Sequence, residues 1–231
     1  MRRLFLSTLL ALGLVLGPAG GAQAALVLDQ PLVWIDGRFS HLVGGDDGFV
    51  THDRIQLDAH YRIDRVSWTG AFLDLGDPSN NPVLPSGLSW TLQVSADAAG
   101  NPGVVTDSVT LAFDMVERVA LGSATLAGQP VFVYTFTALL ADPLHVGGGV
   151  PQWFSVFAES DDGWPRFGWL SGSGGDGVSR QFLANGDPVG TYTDRALRLE
   201  GVMQVPVPAT WLLVLPALAG AGVLRRTRAA V

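Results

Sequence analysis

A chain of 231 residues, 48% of them hydrophobic, is long enough to bury one sizeable core, and the absence of cysteine excludes disulfides and thiolate metal sites. All 21 acidic residues fall between Asp29 and Glu200, where only nine of the fourteen arginines lie, leaving that stretch at −12. A surface of that sign repels phosphate backbones, which excludes nucleic acid as a partner and suits a solvated acidic exterior.

The chain opens on the basic Met1-Arg2-Arg3, continues through the apolar Leu4 to Leu16, and reaches the small residues of Ala22-Gln23-Ala24. That order predicts a signal peptide over residues 1–24, with signal peptidase reading Ala22 and Ala24 and cutting after Ala24. An apolar run of about 13 residues falls short of the roughly 20 that a helical span requires, so removal is expected rather than anchoring.

Residues 25–203 read as β throughout. Leu88-Ser-Trp90-Thr-Leu92-Gln-Val94-Ser-Ala96 alternates apolar and polar, the period of a strand with one dry and one wet face. Val109, Leu111, Phe113 and Met115 repeat it, as do Phe132, Tyr134, Phe136, Ala138 and Leu140, with Val133, Thr135 and Thr137 on the opposite face. Leu197, Leu199, Gly201 and Met203 form a last alternating strand, while Trp153-Phe-Ser-Val-Phe157-Ala158 is apolar on both faces, as in a central strand covered on both sides. Clusters of Gly, Pro, Asn and Asp separate these runs, among them Gly44–Gly48, Gly76–Pro82, Asp97–Gly103, Gly172–Gly177 and Asn185–Pro188. No apolar stripe of helical period runs for three turns, so the expected fold is all-β, an antiparallel β-sandwich or jelly roll.

Chemistry is harder to find in this body. The loops Asp46-Asp47, Asp74/Asp77 with Asn80-Asn81, and Asp161-Asp162 offer oxygen ligands that suit calcium, but none has regular Asp-x-Asp-x-Asp-Gly spacing, and turn-forming aspartates account for them better. Trp164, in Asp161-Asp-Gly-Trp-Pro165, and Trp169 lie near loops and are candidates for stacking on sugar rings; the alternative is that they cap the core. No catalytic constellation is expected. Glu159 with Asp161 or Asp162 shares one loop without the separation that glycoside hydrolysis uses, and His41, His52, His60 and His145 lack zinc-site spacing. Gly172-Ser-Gly-Gly is a flexible loop, not a nucleophile elbow.

The C-terminal stretch carries the most specific pattern. Val205-Pro206-Val-Pro208-Ala209 is followed by a segment uncharged to Leu224 and then by Arg225-Arg226-Thr-Arg228. From Pro206 to Leu224 a helix would reach about 28 Å, close to the thickness of a bilayer's hydrocarbon core. The trailing arginines mark the cytoplasmic side and leave the body of the chain outside. Seven Leu and Val residues between Trp211 and Leu224 supply only about −2 to −4 kcal/mol of insertion drive, which Pro216, Gly220 and Gly222 erode. This three-part tail over 205–228, with its helix at about 209–224, resembles the PEP-CTERM sorting signal of exported bacterial proteins, in the Val-Pro-x-Pro-Ala form with Val207 where the best-known version has Glu. The resemblance implies an exosortase-like protease as partner, recognition through Val205, Pro206, Pro208 and Ala209, a topological stop at Arg225 and Arg226, and transient residence in the membrane before release to the cell surface or matrix.

A second resemblance covers most of the body. Val66-Ser-Trp68-Thr-Gly70, Trp90-Thr-Leu-Gln-Val, the Asp97–Gly103 loop, Tyr134-Thr-Phe136, Trp153-Phe-Ser-Val and Phe167-Gly-Trp169 are similar, in that order, to a jelly-roll ectodomain borne by many PEP-CTERM proteins. The ectodomain resemblance carries no activity with it; the tail's resemblance implies a surface or matrix protein associated with exopolysaccharide or biofilm, which is expected to be non-catalytic. A carbohydrate-binding module, with or without calcium, is the alternative, and a glycosidase the third reading.

Overall fold

The computed structural model describes residues 24–45, 47–74, 87–126 and 128–204, apart from the side chains of residues 34 and 35. Residues 1–23 of the expected signal peptide and the stretch 205–228 expected to be a sorting tail with a helix lie outside the described residues, as do Asp46, Asp77, Asn80 and Asn81. Among the described residues no helix is long and apolar enough to cross a membrane.

The strands are β1 (Ala25–Gln30), β2 (Leu32–Phe39), β3 (His41–Val43), β4 (Asp47–Ile55), β5 (Tyr61–Leu73), β6 (Ser89–Asp97), β7 (Pro102–Ala112), β8 (Val116–Leu126), β9 (Gln129–Val146), β10 (Gln152–Ser160), β11 (Arg166–Gly172), β12 (Ser179–Leu183), β13 (Pro188–Tyr192) and β14 (Leu197–Met203). They form two sheets, antiparallel except where the short β3 runs parallel to β10. In the first, the long β5 carries β9 and then β8 along one edge. Its other edge is shared end to end by β14, opposite Tyr61–Trp68, and β11, opposite Gly70–Leu73; β1 and β2 flank these in turn. The second sheet runs β13-β12-β4-β3-β10-β6-β7, with β4 also pairing β10.

The inner faces meet in one aromatic core. The alternation Leu88, Trp90, Leu92, Val94 in and around β6 faces Trp68, Phe136, Phe167 and Leu199 of the first sheet. The Trp90 ring lies 4.7 Å from Phe167, 4.9 Å from Phe136 and 5.1 Å from Trp68, tilted or edge-on to each, the geometry that aromatic quadrupoles favour. Two sheets sharing such a core make a β-sandwich-like fold. As its doubly apolar sequence requires, β10 is covered on both sides: Phe154, Val156 and Ala158 face the core. On the outer side, buried Trp153 donates its Nε1–H to Asp97 at the end of β6 (2.8 Å).

Two elements depart from the sequence expectation. Met115 does not continue the alternation of β7; it ends a 3-10 turn (Phe113–Met115) that reverses the chain into β8, and it is exposed. Val133, expected on a wet face, is fully buried because the first sheet curls. Its outer face there closes on itself, gathering Ala71, Leu73, Leu126, Val131, Val133 and Leu170 into a second cluster with Leu32 and Phe39. Gly37 eases the closure: a Cβ at that position would stand 2.8 Å from Leu170 Cδ2 and 3.0 Å from Leu126 Cδ1, so both leucines would have to shift where β2 approaches β8.

Candidate functional site

Trp164 follows the loop that joins β10 to β11. It is 39% exposed, whereas Trp68, Trp90, Trp153 and Trp169 are at most 1% exposed. Its ring stands edge-on to Phe39, 6.3 Å away, and Phe39 stacks on Phe49 at 6.2 Å. The Arg166 guanidinium lies 5.1 Å from the Trp164 ring and 5.9 Å from Phe49, pairs with Asp47 (3.2 Å), and donates from Nε to Gly163 O (3.1 Å). Exposed Asp161 and Asp162 complete the rim.

A buried polar relay holds this loop. Phe167 N–H donates to His41 Nδ1 (2.9 Å), which leaves the ring proton on Nε2 to be donated to Ser160 Oγ (2.8 Å). Ser160 Oγ donates in turn to Asp162 O (2.7 Å). Burial, aided by the nearby Arg166 charge, lowers the His41 pKa to about 4, so the imidazole is neutral at physiological pH and the relay keeps one direction. An aromatic plate with a guanidinium and carboxylates at its margin is a chemistry that sugars use: C–H faces stack on the ring while hydroxyls bond the charged groups.

Trp169 is no part of this surface. It is fully buried, faces the core, and donates Nε1–H to Ala196 O (3.0 Å), which removes it from the sugar-stacking candidates. The period explains why: Phe167 and Trp169 are two apart on β11, so both turn inward. Glu159 is half-buried at the end of β10, beside the exposed Asp161 and Asp162. Of the histidines, His145 pairs with Asp107 (3.1 Å), while His52 is buried on the outer face of the second sheet. Ala24 is exposed immediately before β1. Ala22 and the tail residues Val205, Pro206, Pro208, Ala209, Arg225 and Arg226 lie outside the described residues.

Two recesses went unread in the sequence. One, of about 340 Å³, is lined by His52, Gln93, Phe157 and Phe182, with His52 Nδ1 unpartnered at its base. The doubly apolar β10 was its only signal, because Phe157 faces outward there. The other, about 470 Å³, is a polar trough on the outer face of the first sheet, with Ser67, Thr135 and Thr137 among its lining and Arg65, Arg198 and Glu200 along one side. Its Ser and Thr positions are legible as a wet face, but the curl that makes it concave is not.

No family model, curated protein or solved structure matches the chain.

Proposed function

We propose that this is an exported bacterial surface or matrix protein: a jelly-roll ectodomain delivered by a cleavable signal peptide, held briefly by a C-terminal helix, and processed by an exosortase-like protease. It acts without catalysis, in association with exopolysaccharide. One observation carries the reading. The two sequence signals abut the folded body without cutting into it, since β1 begins at Ala25, directly after the Ala24 cleavage position, and β14 ends at Met203, two residues before Val205. Cleavage at either signal therefore leaves every strand whole. A large aromatic core supports the same reading, because a chain without cysteine has to hold together outside the cell by burial alone.

Intact-mass analysis of the protein recovered from its native surface tests the proposal. The expected species begins at Ala25 and lacks Arg225-Arg226; a species retaining both ends refutes export and sorting together.

A second reading is favoured by the exposed Trp164 plate with Arg166 and Asp47: a carbohydrate-binding module. Retention of the intact protein on immobilised polysaccharide, lost in Trp164→Ala, supports it, and absence of retention by the wild type removes it.

A further inference from the structure

At the end of the sandwich where β1 runs out, three polar side chains are sealed from water, and two of them, Asp53 and Gln30, lack partners that burial demands. Asp53 of β4 is 0% exposed, Asp194 is 4% exposed and Gln30 is 1% exposed. Asp53 Oδ1 accepts the Arg195 N–H (3.1 Å), but Oδ2 accepts nothing. Asp194 accepts Gly175 N–H (3.0 Å) and Gly177 N–H (2.6 Å). The Gln30 amide faces Asp53, close enough to favour its carboxylate form, yet neither Oε1 nor Nε2 completes a hydrogen bond. Orphaned buried groups of this kind are rare in native proteins and call for an occupant.

The obvious counter-ion does not fill the role. Arg195 is fully buried beside the two aspartates, but its guanidinium spends its donors on Thr193 O (3.1 and 2.7 Å), Thr193 Oγ1 (3.4 Å) and Trp169 O (3.3 Å). The Asp194 carboxylate lies near enough to raise the cost of charging Asp53, and among the described residues no cation pairs with either. The Gly172–Gly177 loop lies over them. A Cβ on Gly175 would collide with both Gln30 Nε2 and Asp194 Oδ1, so the amide and the carboxylate converge beneath the same backbone atom. Gln30, Gly174 and Gly175 also line a recess of about 470 Å³ beside the cluster.

We propose that Asp53, Asp194 and Gln30 form a binding site for a hard divalent cation of the calcium class, which pins the Gly172–Gly177 loop onto β4 and β1. Among the described residues no three His, Asp or Glu side chains converge on a metal site. With the Gln30 amide turned so that Oε1 rather than Nε2 faces the carboxylates, the shell is two carboxylates and an amide oxygen, completed by backbone carbonyls and by water. Calcium accepts such mixed, irregular shells of about six to eight oxygens, whereas magnesium demands a regular octahedron. The inference stands apart from the sorting and sugar-binding readings.

The test uses the full-length chain, stripped with EDTA and titrated with Ca²⁺ or Mg²⁺ while melting and direct binding are followed. Wild type is expected to bind one Ca²⁺ and to gain about 5–10 °C in melting temperature when calcium stands a hundredfold above its Kd, with little response to Mg²⁺. Asp53→Asn loses that gain, and Asp161→Asn, on an exposed loop, keeps it. Gln30→Glu reads the sign: it melts below wild type in EDTA and recovers in calcium. If wild type binds no Ca²⁺ at millimolar concentration and Asp53→Asn melts at or above it, Asp53 is a protonated acid sealed in the core, and the cation site is wrong.

Discussion

At the centre of the sandwich Trp90 is surrounded by Trp68, Phe136 and Phe167, and at the β1 end the Arg195 guanidinium is held by the carbonyls of Thr193 and Trp169; both side chains are fully buried. The centre is held by area and dispersion, which are non-directional and forgiving of shape. The β1 end is held by directional bonds, and each group there that loses its partner keeps its full desolvation cost. Two regions of equal dryness should therefore fail in different ways when altered.

The largest effects lie in that contrast. Trp90→Ala removes the ring at the middle of the cluster and is expected to cost about 3–5 kcal/mol. Trp90→Phe should cost under about 1.5 kcal/mol, because Trp90 Nε1 has no hydrogen-bond partner to lose. Arg195 offers no such mild exchange. Arg195→Met fits the volume but strands Thr193 O and Trp169 O and removes the positive charge near the Asp53 carboxylate, for about 3–5 kcal/mol. Urea unfolding of the three variants checks the pattern; a mild Arg195→Met beside a severe Trp90→Phe would invert the comparison.

A pH dependence sharpens it next. His41 titrates at about 4 in the fold against about 6.5 unfolded. Between those values the unfolded chain binds the extra proton, so the His41 contribution is complete above pH 6.5 and is lost as pH falls through 4. Over that window it amounts to about 3 kcal/mol. His52, brought by burial to about 4, adds a slope of the same sign, while the raised Asp53 opposes both. The difference in stability between wild type and His41→Gln, measured from pH 7 to pH 4, cancels the other groups and should shrink steadily. A flat difference curve would mean that the relay through Ser160 is not held by a neutral imidazole.

The same contrast explains how far the chain could be read. Trp90, Val94, Phe136 and Leu199 announce themselves through period two, since the alternation that buries them is a property of adjacent residues. Asp53, Asp194 and Gln30 sit in stretches that read as ordinary polar strand or turn. Their burial depends on partners more than a hundred positions away, such as Arg195 N–H on Asp53. The curl that buries Val131 and Val133 is equally non-local, because it requires β2 to reach β8. Trp164 was legible because its neighbours Asp161, Asp162 and Pro165 are turn formers. Trp169 misled because proximity to a loop says less than its spacing from Phe167.

Smaller effects belong to the exposed Trp164 plate. Trp164→Ala should change stability by no more than about 1 kcal/mol, since the ring already meets solvent and touches Phe39 by its edge. The polysaccharide retention assay would read its whole effect, whereas Trp153→Ala, which empties a buried site and removes a hydrogen bond to Asp97, would lose fold and retention together.

The smallest effect is expected along the trough, where Glu200 meets Arg198 at 2.9 Å and Arg65 at 3.5 Å. These are the same charge types as Arg195 and Asp53, but water reaches both arginines, so Coulomb attraction is screened and ordering the long side chains offsets much of the remainder. Glu200→Gln should therefore cost under about 1 kcal/mol, and the loss should vanish in about 1 M salt, where the screening length falls to about 3 Å. Arg195→Met should keep its full cost in that salt, because a buried charge has no mobile counter-ions around it. Parallel urea titrations of the two variants at low and high salt would separate a solvated ion pair from a sealed charge, and a salt-insensitive Glu200→Gln would place the trough on the wrong side of that division.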